Sequence, residues 1–533
     1  MMQNFIQRHP VITIAITFSL LGLLGLSLIT WQSQRRHRQA YSNEHAVFNQ
    51  PLAIPALVEP VLENGEQVFT LTAQTGTTEF FPGIQTKTTG YNGSYLGPTL
   101  HAHTGDPVRI RFTNQLTDAT TLHWHGMEVP ASMDGGPHQR VEPGATWEPN
   151  WTITNPASTL WYHPHLLNAT STQVYSGLAG LFYVDDDTSA QLDIPNSYGV
   201  DDIPLVVQDR LFDDDGQFLY THNHMMHGKT TAGMLGDTIL VNGTYAPYVE
   251  VPKKIVRLRL VNGSNARRYY FGFSDDRSFY QIASDGGLLA APVKLERLLL
   301  TPGERAELLV DLSADATPVS LLSYNVEDHA KSQIPDVVQD WLVGETDEDQ
   351  QFKILELRPT GAATTTVQIP TTLVSIPSLD PNAVTTSRTF SLEASTINGK
   401  SMDHGRVDEI VQTGSTEIWE IKNQSAIFHP FHIHGVQFQI LERDGSTPPA
   451  NEQGWKDTVN VDPGKSVKLI MKFNMAADPT LPFMFHCHIL EHEDMGMMGQ
   501  FVVVPDANTA AQLNSTLNDT TSMFSEHMHG MQH

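Results

Sequence analysis

Hydrophobic and polar positions follow two different patterns along this chain. Residues 11–31 (VITIAITFSLLGLLGLSLITW) are largely apolar and carry no charge, whereas the rest of the chain alternates in short runs. A helix over residues 11–31, rising about 1.5 Å per residue, is long enough to cross a hydrocarbon core of roughly 30 Å. We therefore expect residues 1–40 to contain a membrane anchor. A cleaved signal peptide is the alternative, although no clear small-x-small cleavage site follows.

The charges beside this apolar run bear on its orientation. Arg35, Arg36 and Arg38 follow the run, and only Arg8 precedes it. The positive-inside rule would then place the bulk of the chain in the cytoplasm. The chemistry of the histidine motifs described below favours the opposite side. We expect an extracytoplasmic protein, in the periplasm or at the cell surface, in spite of this conflict.

From about residue 56 the pattern predicts an all-β protein. Short runs such as VRIRF (108–112), KIVRLRLV (254–261) and AELLVDL (306–312) are separated by Gly, Pro, Asn and Asp, as is typical of β-sandwiches. A chain of 533 residues suggests about three domains. We place three similar blocks at 56–188, 196–345 and 386–505. A linker at 346–385, which includes a Thr/Pro-rich stretch, joins the second block to the third, and a polar tail at 506–533 ends the chain.

Composition narrows the function classes. The formal net charge of -27 argues against nucleic-acid binding, which needs a basic face, and favours the attraction of small cations. A single cysteine excludes an internal disulfide framework. An isolated cysteine is usually a buried, inert residue, so a functional role for Cys487 needs further support from its neighbours.

Four histidine motifs supply that support. A single His-x-His pair is weak evidence, although residues two apart on a strand point to the same face and can share a metal. Four clusters that hold ten of the 24 histidines are hard to explain as core packing. Imidazole suits copper, iron and zinc, and thiolate suits Cu(I). The motifs are HWH at 123–125, HPH at 163–165, HPFHIH at 429–434 and HCHILEH at 486–492.

The last motif is the most informative. On a strand, His486 and His488 face one side and Cys487 faces the other, so one tripeptide can bind two metal sites back to back. His492 follows the cysteine by five residues and Met497 by ten. A site with Cys, two His and a weak axial Met is the blue-copper arrangement, which serves electron transfer. The second histidine of that site is expected to be His429, because it stands outside the His432/His434 alternation.

Eight histidines then remain for a second centre. Two imidazoles for one copper and three for each of two others suit a three-copper cluster with open positions. Together with the blue copper, such a cluster stores the four electrons that reduce O2 to two waters. The eight are His123, His125, His163, His165, His432, His434, His486 and His488.

In this order the motifs resemble those of the multicopper oxidases, and most closely those of the bacterial copper-efflux oxidase and laccase branch. The resemblance covers nearly the whole chain after the apolar run. It includes LHWHGMEVPASMDGGP (122–137), NARRYYF (265–271), GWKDTV (454–459) and HCHILEHEDMGMM (486–498). It implies three cupredoxin-like Greek-key sandwiches, with the blue copper in the third and the cluster between the first and third. It also implies four copper ions: one type 1, one type 2 and a type 3 pair.

The resemblance also implies a ligand set for each copper. His429, Cys487 and His492 would hold the type 1 copper, with Met497 as the axial ligand. His123 and His432 would hold the type 2 copper. The type 3 coppers would each take three histidines, in the sets His125, His163 and His488, and His165, His434 and His486.

Two acids are candidates for catalysis. Oxygen reduction consumes protons at a buried cluster, so a nearby carboxylate is expected as a relay. Asp134, in the DGGP stretch, and Glu493, directly after His492, resemble the acids that serve this role in the copper-efflux oxidases. The alternatives are a turn aspartate before Gly-Gly and a solvated surface acid.

The sequence says less about the reducing substrate. The copper-efflux oxidases carry a Met-rich insert that supplies Cu(I), but residues 346–404 here contain only Met402. Residues 221–228 (THNHMMHG) and the tail at 523–533 (MFSEHMHGMQH) offer the soft ligands that Cu(I) prefers. Phenols and aromatic amines are the alternative substrates, and they would need an exposed edge near His429 or His492. We expect O2 and one of these small donors as partners, the membrane through residues 11–31, and a monomer.

Three other classes compete with an oxidase. Relatives that have lost their copper ligands act as structural or cell-division factors, but all eleven expected His and Cys positions are filled here. Copper nitrite reductases are shorter two-domain chains without this full set of paired histidines. A copper-sequestering protein without turnover would be distinguished by its lack of O2 uptake.

Overall fold

A computed structural model describes residues 46–220, 233–324, 351–363 and 368–513. The apolar run 11–31, the Met/His segment 221–228 and the tail 523–533 lie outside these ranges. Within them, no helix is both long enough and apolar enough to cross a membrane.

Apart from its first strand, the first part of the chain forms two facing sheets with one short α-helix. Its helix is α1 (Thr170–Ser176). Its strands are β1 (Gln50–Pro51), β2 (Leu57–Val58), β3 (Val61–Glu63), β4 (Glu66–Phe81), β5 (Ile84–Tyr91), β6 (Thr99–His103), β7 (Pro107–Asn114), β8 (His123–His125), β9 (Thr146–Trp147), β10 (Asn150–Thr152), β11 (Ser158–His163) and β12 (Gly180–Asp185).

The middle and last parts are built in the same way. The middle strands are β13 (Asp202–Arg210), β14 (Thr238–Val241), β15 (Thr244–Tyr245), β16 (Pro247–Pro252), β17 (Ile255–Asn262), β18 (Tyr269–Phe273), β19 (Phe279–Ser284), β20 (Gly287–Leu295), β21 (Leu298–Leu300), β22 (Arg305–Asp311), β23 (Val319–Tyr324) and β24 (Phe352–Thr360). The last part contains helix α2 (Leu490–Asp494) and strands β25 (Thr386–Leu392), β26 (Glu409–Gln412), β27 (Thr416–Asn423), β28 (His429–Ile433), β29 (Phe438–Arg443), β30 (Thr458–Val461), β31 (Ser466–Lys472), β32 (Asp478–Cys487) and β33 (Met498–Val504).

These strands form six sheets that pair into three sandwiches. In the first sandwich, the sheet β2-β6-β12-β11-β8 packs against the sheet β10-β7-β4-β3, which also includes β5 and β9. The middle sandwich faces β15-β14-β13-β17-β22-β19-β20 with β1-β16-β24-β23-β18-β21, and the third faces β26-β33-β32-β28-β30 with β25-β27-β31-β29. Each pair encloses its own apolar core, as when Phe112 of β7 and Phe182 of β12 share one cluster. The domain limits given by the sequence stay a prediction.

Two segments differ from the sequence-based expectation. Residues 352–360 fall in the predicted linker, but they form β24 because Phe352, Ile354 and Leu357 are buried in the middle core. The alternation of apolar and charged residues in KIVRLRLV is typical of a strand with one face in solvent, yet β17 is buried throughout. Its Arg257 and Arg259 are buried beside Glu307 and Asp202, with which they form ion pairs.

Candidate metal centre

The first two histidine motifs meet across neighbouring strands of the first sandwich. β8 and β11 run antiparallel, and their register sets His123 opposite His163. His123 and His125 share one face of β8, while Trp124 between them is buried in the core. His165 follows β11, where its N–H donates to Thr121 Oγ1 at 2.6 Å.

The other two motifs meet in the third sandwich. β28 and β32 are also antiparallel, with His432 opposite His486 and Phe431 opposite Cys487. Phe431 and Cys487 belong to the core of this sandwich. The neighbouring His486 points the other way, and its Nε2 lies 3.0 Å from Nε2 of His165 in the first sandwich. The two faces of the HCH tripeptide thus serve different surroundings.

Three buried imidazoles converge at this junction. Nε2 of His434 lies 3.1 Å from Nε2 of His165 and 3.2 Å from Nε2 of His486. A hydrogen bond can link two imidazole nitrogens, but a mutual triangle of three cannot be satisfied in that way. Burial, with the neighbouring histidines, lowers the pKa of all three well below the usual value. Neutral imidazoles are the form that binds metal.

Two further groups adjoin this triangle. His125, His163 and His488 bring their ligand atoms within 4.8 Å of one another, and so do His123, His125 and His432. In the first group, Nδ1 of His125 lies 3.4 Å from Nε2 of His163. The structure therefore brings together all eight histidines that the sequence assigned to the cluster.

Backbone carbonyls fix which nitrogen faces each site. A carbonyl only accepts, so a ring nitrogen beside one must carry the proton and leave the other nitrogen bare. His123 donates to Asp134 O at 2.8 Å, His432 to Asp457 O at 2.8 Å, and His163 to Pro164 O at 2.8 Å.

A fourth group lies on the other side of β32. Cys487 Sγ lies 3.3 Å from Nδ1 of His429 and 3.6 Å from Nδ1 of His492. Met497 is buried beside them, and its carbonyl accepts from the N–H of Cys487 at 3.1 Å. Burial raises the pKa of the Cys487 thiol. The group has the donors of a blue-copper site.

Copper fits this donor set. Among the described side chains, Nε2 of His123, Nε2 of His432 and both nitrogens of His488 are buried without a hydrogen-bond partner. Leaving a buried polar atom unpaired costs about 1–3 kcal/mol, and a bound ion removes that cost. Imidazole with one thiolate is a donor set suited to copper.

Comparisons with known proteins agree with this geometry. Residues 72–189 and 375–507 match two family models, both described as multicopper oxidase. "Multicopper oxidase mco" of Staphylococcus aureus is 37% identical over 457 residues, covering 85% of this chain and 92% of the relative. "Cell division protein FtsP" of Escherichia coli (strain K12) is 38% identical over 458 residues, covering 86% and 93%.

A solved structure gives the same result. The laccase-like multicopper oxidase CueO from Ochrobactrum sp. superposes with a TM-score of 0.76 at 38% identity, over 85% of this chain and 100% of that one. This chain belongs to the multicopper oxidase family. As a multicopper oxidase it is an oxidoreductase that uses copper ions and passes electrons from a reducing substrate to O2.

Asp134, the first predicted acid, lies directly beside the cluster. Its Oδ2 accepts from Nδ1 of His434 at 2.8 Å, and its backbone carbonyl is the acceptor for His123. Burial raises the pKa of the Asp134 carboxyl well above the usual value. Asp134 does end a short turn before Gly135, as in the alternative, but its carboxyl is buried against a cluster histidine.

Glu493 is also buried rather than a solvated surface acid. On α2, its Oε1 lies 3.4 Å from Nδ1 of His165 and its Oε2 lies 3.4 Å from Nδ1 of His486. Burial raises the pKa of its carboxyl well above the usual value. Both acids touch histidines of the cluster, and their relay role stays a prediction.

Sequence reasoning gave no role to Asp457, although it lies in the GWKDTV motif. Its Oδ1 accepts from Nε2 of His125 at 3.0 Å, and its carbonyl accepts from His432. Burial alone would raise the pKa of Asp457, but the Arg305 guanidinium holds it well below the usual value. The only available signal was the aspartate's place in a family motif.

The surface over the blue-copper group bears on phenol oxidation, which would need an exposed edge near His429 or His492. Both of these side chains are themselves fully buried. The half-buried Ser425 contacts Nε2 of His429 at 2.8 Å. A donor molecule must therefore act across this outer layer.

Proposed function

We propose that this chain is an extracytoplasmic, membrane-anchored multicopper oxidase that couples one-electron oxidations of a small donor to the four-electron reduction of O2 to water. Four coppers would be bound. His429, Cys487 and His492, with Met497 axial, would hold the type 1 ion. The eight remaining motif histidines would hold the type 2 ion and the type 3 pair in the sets given above. Bound copper would supply the one-electron steps.

One observation carries this proposal. Cys487 belongs to the thiolate group, and its covalent neighbours His486 and His488 belong to two different imidazole trios. The electron path between the two centres is therefore two residues of backbone. Around it, backbone carbonyls orient ring nitrogens, and Asp134 and Glu493 would supply protons to the cluster.

The experiment is O2 uptake with a reducing substrate, with copper measured on the same sample. We expect four coppers per chain, four electrons consumed per O2 and no release of peroxide. Cys487→Ser should abolish the blue absorbance and turnover while copper stays bound to the histidine cluster. Turnover in Cys487→Ser, or release of peroxide in the wild type, would contradict the proposal.

For the donor we propose Cu(I), with phenols and aromatic amines as further substrates and copper tolerance as the role in the cell. The described flanks of the Met/His segment support this, because Tyr220 Oη and the N–H of Met234 both contact Glu491, the residue before His492. The acidic net charge favours a cation.

The donor proposal is tested by assaying the wild type, a double methionine variant and a truncated chain, each with Cu(I) and with a neutral phenol. We expect Met225→Leu/Met226→Leu to lower the Cu(I) rate and leave the phenol rate unchanged. A 1–520 truncation tests the tail in the same way. Equal Cu(I) rates in all three chains would remove both segments from copper supply.

A second candidate function comes from the relatives named for cell division. They are as similar to this chain as the named oxidases are. The filled ligand set favours an oxidase here, and absence of O2 uptake by the copper-loaded protein would favour a structural or copper-sequestering role instead.

A further inference from the structure

The middle sandwich contributes no histidine or cysteine to the metal groups formed by the described residues, yet one of its turns lies against them. The turn Thr301-Pro302-Gly303-Glu304 closes when the N–H of Glu304 donates to Thr301 O at 3.0 Å. Arg305 follows as the first residue of β22. A sandwich without ligands thus reaches the junction where the cluster is built.

All five N–H groups of the Arg305 guanidinium donate hydrogen bonds. Its Nη1 donates to Asp457 Oδ1 at 2.7 Å and its Nη2 to Asp457 Oδ2 at 2.6 Å, which is the two-point geometry that suits a guanidinium and a carboxylate. The remaining three N–H groups go to the carbonyls of Thr159, Gly303 and Asp285. The side chain is fully buried and has one orientation open to it.

Asp457 passes this constraint to two cluster histidines. Its Oδ1 lies 3.0 Å from Nε2 of His125, which must donate to this carboxylate and so leaves Nδ1 bare toward His163. Its carbonyl accepts from Nδ1 of His432 at 2.8 Å, which leaves Nε2 of His432 bare. One residue therefore sets the bare nitrogen of both imidazoles.

The first sandwich leaves room for this ion pair. A Cβ on Gly126, which has φ +86°, would lie 2.5 Å from Arg305 Nη2 and 2.5 Å from Asp457 Oδ2. The glycine directly after the HWH motif thus lies against both side chains. The pair is enclosed by all three sandwiches, at the back of the two histidines it orients.

We propose that Arg305 is a positioning residue for the copper cluster: by fixing Asp457 it sets His125 and His432 for metal binding, so the middle sandwich preorganises a site to which it gives no ligand. The inference rests on the proposed ligand sets. The competing reading is a buried ion pair that only holds sandwiches together, which would affect stability but not copper affinity.

The two readings are separated by copper affinity, measured by titrating copper into the metal-free full chain. Partners behind metal-binding histidines are typically worth 10–100-fold in affinity. We expect Arg305→Met to lower the copper affinity of the histidine cluster by about that factor, while the blue absorbance per chain stays unchanged. Arg305→Lys, which keeps the charge but loses the fork, should fall between.

Arg257→Met is the matched control. Arg257 is also buried, lies in the same sandwich and pairs with Glu307 on β22, but its partners among the described residues include no member of the metal groups. The Arg257→Met substitution should lower the melting temperature and leave copper affinity unchanged. Equal copper affinity in wild type and both Arg305 variants, or an equal loss in Arg257→Met, would overturn the inference; if Arg305→Met does not fold, Arg305→Lys decides.

Failure of the proposed function looks different. If the wild-type chain itself binds fewer than four coppers, the ligand sets are wrong whatever the variants do. If the wild type binds four and the Arg305 variants bind them as tightly, only the role of Arg305 is lost.

Discussion

An acidic residue beside the cluster can orient a histidine ring, and it can also relay a proton. Asp134 accepts a hydrogen bond from His434, which orients that ring, and it is a buried carboxyl, which can hold a proton. Glu493 is also a buried carboxyl, and its oxygens lie 3.4 Å from Nδ1 of His165 and of His486 without a hydrogen bond to either ring. Orientation needs only an acceptor, whereas proton transfer needs a group that binds and releases a proton.

Substitutions at Asp134 separate these tasks. Asp134→Ala should keep the blue absorbance, because Asp134 does not belong to the Cys487 group, and should slow turnover by about 100-fold or more, the usual scale for losing a positioned acid. Asp134→Asn keeps an acceptor for His434 but cannot relay a proton. We expect it to be nearly as slow in a steady-state O2 assay. Wild-type turnover in Asp134→Asn would reduce the residue to an orienting role.

At this scale the sequence predicts residue types better than their partners. Histidine spacing and the flanks of Cys487 predict which His and Cys residues share a site, because neighbours on a strand have fixed faces, and the structure brings these residues together. Asp457 and Arg305 carry no such spacing. They are 152 positions apart, and only the packing of two sandwiches brings them together.

Among the elements, the turn before β22 is set by its own sequence. Thr-Pro-Gly-Glu has proline and glycine where a type II turn needs them, and Gly303 adopts φ +86°. A Cβ there would lie 2.9 Å from the nearest ring atom of His488. The turn is therefore shaped for close approach to a cluster histidine as well as for chain reversal.

Gly303→Ala tests that approach. Both the positive φ and the displaced ring should contribute, so we expect about 1–3 kcal/mol lower stability together with copper loss from the cluster. Gly414→Ala is the control, since Gly414 has φ +78° and nothing within 4 Å of the added methyl. It should lose stability and retain copper. Equal copper content in the two variants would mean that His488 moves aside without consequence.

A histidine on β6 links three segments of the first sandwich. Nδ1 of His101 lies 2.8 Å from Glu59, and its Nε2 lies 2.8 Å from Asp185 at the end of β12. The hydrogen bond with Asp185, opposed by burial and aided by Glu59, raises the pKa of His101 to about 9. The protonated ring thus stabilises the fold fully below its unfolded pKa of about 6.5, and this stability is lost as pH rises through about 9.

His101→Gln should reveal this dependence in urea unfolding. The carboxylates are partly exposed, so we expect a loss of only about 1–2 kcal/mol at about pH 6, shrinking toward zero at about pH 10. His103→Gln is the control, because its carboxylate neighbour Asp187 is 97% exposed. A deficit of equal size at both pH values would show that the contact does not depend on the charge of His101.

For the whole molecule, local patterns predicted the class of fold but not which faces are covered. Alternation gave strands over 108–112 and 254–261 equally well. The first has half-buried arginines, as alternation suggests, while in the second Arg257 and Arg259 are buried. The difference arises because Arg259 reaches Thr159 of the first sandwich, a contact between sandwiches that no short window contains.

The summed charge of the molecule should act on substrate selection. A net charge of -27 produces a field that concentrates cations and repels anions, and salt screens it with a Debye length of about 10 Å at 0.1 M. Because His429 and His492 are buried, a donor must bind at the protein surface above them before it transfers an electron. We expect kcat/KM for a cationic aromatic amine to fall several-fold as salt rises, and that for a sulfonated phenol to rise. A neutral phenol of similar potential should show no change. The same salt response for all three donors would mean that charge does not guide their approach.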